Sequence, residues 1–106
     1  MSYRYMRVII FFDLPVETSD QRKEYRRFRK YLLRNGFVMM QESVYSKIVL
    51  NPTAAGFVQE GVRKNKVSKG LIQMMTVTER QYEQMEVIVG EKQHTIIDND
   101  DRLVIL

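Results

Sequence analysis

The hydrophobic residues of this 106-residue chain fall into short runs that are separated by polar and charged segments. Five consecutive apolar residues, Val8 to Phe12, stop at the single carboxylate of Asp13, and Pro15 follows two positions later. An unbroken apolar run of this kind is typical of a strand buried on both faces, and proline ends such a strand. The pattern therefore predicts a central strand over residues 4–14.

An amphipathic helix is predicted directly after this strand. Thr18 and Gln21 have capping-box spacing and Gly36 is a typical C-terminal stop, so the helix should run from about residue 19 to residue 35. On a helical wheel, aromatic and aliphatic residues share one side and basic residues share the other. The apolar side holds Tyr25, Phe28, Tyr31 and Leu32, and the basic side holds Lys23, Arg26, Arg27, Lys30 and Arg34, with Arg22 at its edge.

The middle of the chain predicts further strands and a second helix. Residues 37–50 have a strand pattern that is interrupted at residues 41–43, where either a kink or a tight hairpin falls. Asn51 and Pro52 form an N-cap followed by proline at the first helical position, which opens a helix to about residue 67 or 68. The remaining predicted elements are a strand over 70–78, a short helical turn with capping-box spacing from Thr78, a strand over 85–89 and a last apolar run at 103–106.

This order of elements predicts a ferredoxin-like α/β (α+β) sandwich. Two βαβ-type halves with a hairpin between them give an antiparallel sheet that two helices cover on one face, with an extra C-terminal strand. Residues 1–106 are expected to form one domain, and residues 91–106 a loop and strand that join a second subunit. This fold carries many unrelated functions, so it does not decide between them.

Composition narrows the possible chemistry. The chain has no cysteine and one histidine, His94, which excludes thiolate chemistry, cysteine-ligated zinc and a histidine-rich site within one chain. No run of eighteen apolar residues and no signal-peptide pattern occurs, so a cytoplasmic protein without a membrane partner is expected. The sequence Asp98-Asn99-Asp100-Asp101 lacks the glycine and glutamate of a calcium loop and is interpreted as a turn.

Positive charge is concentrated in the first helix. Residues 18–35 hold seven basic and two acidic residues, although the whole chain has 17 basic and 13 acidic residues. Five basic side chains on one side of a helix repel one another, so a polyanion is favoured over a merely solvated surface. Arg22, Lys23, Arg26, Arg27, Lys30 and Arg34 are therefore predicted to bind nucleic-acid phosphates.

Two short motifs carry a resemblance to a known family. Phe12-Asp13-Leu14 ends the first strand, and Gln41-Glu42-Ser43-Val44-Tyr45 follows the first helix. At this spacing and chain length they resemble the small CRISPR-associated endonuclease family of spacer acquisition, most closely the variants found beside type II CRISPR systems. Ser46 stands where many members have a glutamate, so no acidic role is carried over to that position.

The resemblance implies a homodimer that binds DNA or RNA and a CRISPR integrase partner. It implies Asp13 as the catalytic and metal-binding residue of an endonuclease that uses Mg²⁺ or another divalent cation such as Mn²⁺. Two alternatives stay open: from the residues alone, Asp13 only closes a strand, and from the resemblance, the protein is a non-catalytic DNA-binding bridge between integrase dimers. A generic RNA-binding domain is disfavoured because the aromatic RNP stretch is absent. Two copies of Asp13 across a two-fold axis would give one shared metal site.

Overall fold

Four strands and three helices make up residues 5–91, the part of the chain that the computed structural model describes. In chain order they are β1 (Met6–Asp13), α1 (Ser19–Arg34), β2 (Val38–Gln41), β3 (Val44–Val49), α2 (Pro52–Lys64), β4 (Leu71–Thr78) and α3 (Glu79–Glu83). The strands form one sheet in the order β2-β3-β1-β4, and every neighbouring pair is antiparallel. The predicted ferredoxin-like α/β arrangement, with β1 in the interior of the sheet, is confirmed.

The core lies between the sheet and the two long helices. Alternate residues of β1 and the position after it point to the helix side, and these side chains are buried against Phe28 and Leu32 of α1 and Ala55 and Val62 of α2. At the centre, the Phe12 ring lies 5.4 Å from the Phe28 ring in an edge-on contact. Each fully buried side chain of this size stabilises the fold by roughly 1.5–3 kcal/mol, so this layer holds β1 against the two long helices.

The predicted helix-capping signals are confirmed. Thr18 and Gln21 form a reciprocal capping box at the start of α1, and Asn51 caps α2 by accepting a hydrogen bond from the Ala54 N–H. Gly36 follows α1 with a φ of 87°, in the left-handed region. These interactions satisfy backbone groups that a helix end leaves unpaired. They can be predicted from the sequence because the capping residues stand at fixed positions next to the helix end.

Residues 41–43 form a tight hairpin, so that alternative is correct and the kink is not. The turn consists of Glu42 and Ser43, and Ser43 adopts a φ of 66°. A register shift between Met39 and Gln41 marks an irregularity in β2 next to the turn. The hairpin places the second sequence motif at one end of the sheet.

One predicted helix end and one predicted strand are wrong. Helix α2 ends at Lys64 instead of residue 67 or 68, because Asn65 caps it and donates its side-chain N–H to the Gly61 carbonyl over 2.8 Å. Residues 85–89 form no strand: Ile88 and Val89 are 77% and 90% exposed, and no described strand pairs with them. Apolar composition alone cannot make a strand where no neighbouring strand supplies hydrogen bonds.

Several predicted features lie outside the described residues. They are His94, the turn at residues 98–101 and the apolar run at residues 103–106. Within residues 5–91, no helix is long and apolar enough to cross a membrane.

Candidate functional site

Asp13 is the last residue of the central strand β1, and its side chain is exposed. Within residues 5–91 the carboxylate has no hydrogen-bond or ion-pair partner. The backbone passes close to this strand end on the β4 side: a Cβ built on Gly70 would lie 2.9 Å from the Asp13 main-chain carbonyl oxygen and 2.8 Å from the Leu14 side chain. Gly70 also has a φ of 107°, so both its backbone and its contacts require glycine.

The two sequence motifs meet at this end of the sheet. The Phe12 N–H donates to the Ser43 carbonyl over 3.0 Å, which ties the residue before Asp13 to the β2–β3 turn. Glu42, the other turn residue, is also exposed and has no polar partner within the described residues. The fold thus brings Asp13 and a second carboxylate to the same end of the sheet. Sequence reasoning did not select Glu42, although it stands inside the second motif.

A divalent cation such as Mg²⁺ requires oxygen ligands, which carboxylates such as Asp13 and Glu42 can supply. Among residues 5–91 there is no group of three or more His, Cys, Asp or Glu side chains that could enclose a metal. Mg²⁺, however, keeps several waters and is commonly held by one or two carboxylates together with substrate phosphates. A free carboxylate at an exposed strand end fits that need, and a complete protein cage is not required.

Asp13 lies on the sheet face that the long helices leave uncovered. The face carries large apolar side chains, with Ile48 of β3 50% exposed and Leu71 and Met75 of β4 53% and 49% exposed. Phe11 stands between these two strands on the same face. Large exposed apolar side chains on one sheet face make this face a candidate interaction surface.

A polar cluster closes the other end of this face. Arg7 makes a bidentate ion pair with Glu79 at 2.6 and 2.9 Å, and its side chain is only 11% exposed. The same guanidinium donates to the Ser46 hydroxyl over 3.2 Å and lies 3.8 Å from the centre of the Tyr82 ring. Ser46 is fully buried. Ser46 therefore holds the Arg7 side chain in place, and Ser46 lies away from the end of β1 that carries Asp13.

The basic side chains of α1 form a groove on the opposite side of the molecule. Tyr31 and the capping residues Asn35 and Asn65 also line the groove, which has a volume of about 510 Å³. Burial raises the pKa of Tyr31, and a hydrogen bond with Asn65 partly offsets this. The basic residues along the groove are Lys23, Arg26, Arg27, Lys30 and Arg34.

The predicted phosphate-binding residues differ in whether their side chains are already bonded within the protein. Arg27 pairs with Glu24 at 3.2 Å and donates to the carbonyls of Asn65 and Lys66, each over 3.2 Å. This pairing lowers the pKa of Glu24. Arg22 lies outside the groove and donates to two carbonyls of the preceding loop. Lys23, Arg26, Lys30 and Arg34 have no polar partner within residues 5–91 and remain available to a ligand.

A second basic segment lies beside this groove and was missed by the sequence reasoning. It contains Arg63, Lys64, Lys66 and Lys69, of which only Arg63 has an acidic partner, Glu60, within the described part of the chain. Arg27 joins α1 to this segment through the two carbonyls that it contacts. The sequence does contain this segment, as four basic residues within seven positions. Its charge was overlooked because acidic residues elsewhere cancel it when all residues outside the first helix are summed.

Comparison with known proteins identifies the family. The family described as CRISPR associated protein Cas2 matches residues 6–85. The chain belongs to the CRISPR-associated Cas2 family. The resemblance read from the two motifs is confirmed, whereas the assignment to the type II variants stays a prediction.

Relatives within the Cas2 family cover almost the whole chain. A CRISPR-associated endoribonuclease Cas2 from Treponema denticola is 52% identical over 101 residues, which are 95% of this chain and 100% of that protein. The equivalent proteins of Ligilactobacillus salivarius and Streptococcus mutans are 44% and 46% identical over 95% of this chain, and the matches cover 100% and 93% of their own lengths. The expected class, a CRISPR-associated endonuclease, is confirmed at the level of the family.

A solved structure supports the fold independently. The protein described as "Crystal structure of cas2" superimposes with a TM-score of 0.57 at 14% identity. The match covers 87% of this chain and 94% of that chain. The shared architecture is therefore preserved although few residues are identical.

Proposed function

We propose that this protein is a divalent-metal-dependent endonuclease of CRISPR adaptation, with Asp13 as the catalytic and metal-binding residue. The observation that carries the proposal is the free carboxylate of Asp13 at the end of the central strand, on the open apolar face of the sheet. The name endoribonuclease that the relatives bear supports RNA as a substrate, and DNA is the second polymer considered. A cytoplasmic site of action is part of the proposal.

The proposed active unit is a homodimer whose open sheet faces pack together. Burying apolar side chains such as Ile48, Leu71 and Met75 would favour this association. An isologous interface repeats every residue across the two-fold axis, so the two Asp13 carboxylates would share one site. The expectation that residues 91–106 join the second subunit belongs to this proposal.

Asp13 would hold Mg²⁺ or Mn²⁺ in that site. When bound, the cation supplies activation of water and neutralisation of charge at the scissile phosphate. The chain's own contribution is positional: the Phe12–Ser43 hydrogen bond and the close approach of Gly70 fix the strand end that carries Asp13. The unpartnered basic residues of α1 would bind the backbone phosphates of the substrate.

The decisive experiment is Mg²⁺-dependent cleavage of RNA and duplex DNA by wild-type protein and by Asp13→Asn. We expect the substitution to abolish cleavage, because it removes the charge that holds the cation but keeps the side-chain shape. Glu83→Gln, a matched loss of one exposed carboxylate on α3, should cleave at the wild-type rate. Equal cleavage by Asp13→Asn and wild type would remove Asp13 from catalysis.

A non-catalytic role is the second candidate. It would hold DNA by phosphate contacts as a bridge between dimers of a CRISPR integrase partner. One observation favours it: the basic groove does not include Asp13, so phosphate binding there does not depend on that carboxylate. A spacer-integration assay in which Asp13→Asn supports normal integration would select this function.

A further inference from the structure

A small pocket lies beside the end of β1, on the side of the sheet that the helices cover. It begins one residue after Asp13 and has a volume of about 250 Å³. Leu14, Pro15, Tyr25 and Val67 give it an apolar lining. The pocket lies just below the roughly 300–1,000 Å³ range of sites for drug-sized ligands, so it suits a smaller group such as one heterocycle.

The polar groups around this pocket fall into two classes. Those of the α1 capping box are already paired with each other, and Glu24 is paired with Arg27. In contrast, the Asp20 carboxylate, the Tyr25 hydroxyl and the Lys69 ammonium have no hydrogen-bond or ion-pair partner within residues 5–91. Free polar groups that converge on an apolar lining are characteristic of a ligand site.

We propose that this pocket receives one nucleobase of the nucleic-acid strand that reaches Asp13. The Tyr25 ring supplies an aromatic surface at the pocket wall, and bases bind such surfaces whatever their sequence. Lys69 supplies positive charge beside the pocket for the adjoining phosphate. The inference rests on the proposed function, because it takes a nucleic acid as the molecule that binds at Asp13.

The chemistry of Asp20 selects among the bases. An ionised carboxylate accepts hydrogen bonds and donates none. Guanine presents two adjacent N–H donors on one edge, whereas uracil presents a single N–H between two carbonyl oxygens that a carboxylate repels. A well-formed bidentate pair discriminates by about 1–3 kcal/mol. Since Asp20 is exposed, the lower end applies, and guanine should bind about fivefold more tightly than uracil.

The test is an NMR titration of ¹⁵N-labelled protein with guanosine 5′-monophosphate and, separately, with uridine 5′-monophosphate. We expect the amide signals of Ser68 and Lys69 to shift with both nucleotides. The half-maximal shift should need an about fivefold lower concentration of the guanosine nucleotide than of the uridine nucleotide. Asp20→Asn should remove most of the preference, and the remote substitution Glu83→Gln should leave it intact. Shifts confined to the α1 groove, or equal affinities for the two nucleotides, would overturn the inference.

The same titration with Asp13→Asn protein separates this inference from the proposed function. If the variant still cleaves nucleic acid and prefers the guanosine nucleotide, the catalytic role of Asp13 is wrong and the base pocket stands. If cleavage depends on Asp13 but no preference appears at Ser68 and Lys69, the base pocket is wrong and the catalytic role stands.

Discussion

Removing Arg26 and Lys30 together should weaken nucleic-acid binding in a salt-dependent manner. Both side chains are exposed in the α1 groove and have no polar partner within residues 5–91. If each contacts one duplex phosphate, the slope of log affinity against log salt should fall by about 1.8 when both become alanine. When the salt concentration rises from 50 to 200 mM, the fold-loss of affinity would then be about twelve times smaller for the variant than for wild type.

Arg27→Ala is the matched comparison, because Arg27 stands on the same side of the helix but is already bonded. Its guanidinium donates to Glu24 and to the carbonyls of Asn65 and Lys66. We therefore expect Arg27→Ala to melt at a lower temperature than wild type. Its salt slope should change by less than the value of about 0.9 expected for removing one freely exposed cation. Fluorescence anisotropy on one labelled duplex at five salt concentrations measures the slopes, and circular dichroism measures the melting.

Two results would contradict this reasoning. An unchanged slope for the Arg26→Ala/Lys30→Ala protein would exclude this groove as the phosphate-binding surface. A slope reduced by about 0.9 in Arg27→Ala, without any loss of melting temperature, would show instead that Arg27 binds phosphate and does not fasten α1 to the neighbouring segment.

Two further predictions concern stability and can be checked by urea denaturation. Gly56→Ala should stabilise the protein by about 1 kcal/mol, because alanine favours the helix and open space surrounds the new Cβ; Gly61→Ala should stabilise it less, because the Tyr31 hydroxyl must first move aside. The reverse order would contradict the helix packing. Arg7→Met should cost about 2–3 kcal/mol by leaving Glu79 partly buried and unpaired, and adding Glu79→Met should recover part of that loss. Equal stability of all three proteins would show that the pair contributes nothing.

The parts of this structure that sequence predicted well are those set by neighbouring residues. The capping box at Thr18 and the hydrophobic and basic sides of α1 depend on spacing within one helix, so they could be read directly. The strand predicted at residues 85–89 failed because a strand also needs a partner, which local pattern does not reveal. The bonds of Arg27 were invisible for the same reason, since their acceptor carbonyls are 38 and 39 residues away.

The positions of the site and the groove constrain the path of a bound strand. Asp13 lies on the open face of the sheet, whereas the basic groove lies on the helix side. Helix α1 begins a short loop after Asp13, so its row of cations starts near the end of β1 and runs away from it. A nucleic acid held by that row would reach Asp13 around the strand end at Pro15 and Gly70. The apolar pocket beside Leu14 lies at this strand end, so the proposed base-binding pocket and the proposed catalytic carboxylate of Asp13 would serve adjacent parts of one nucleotide chain.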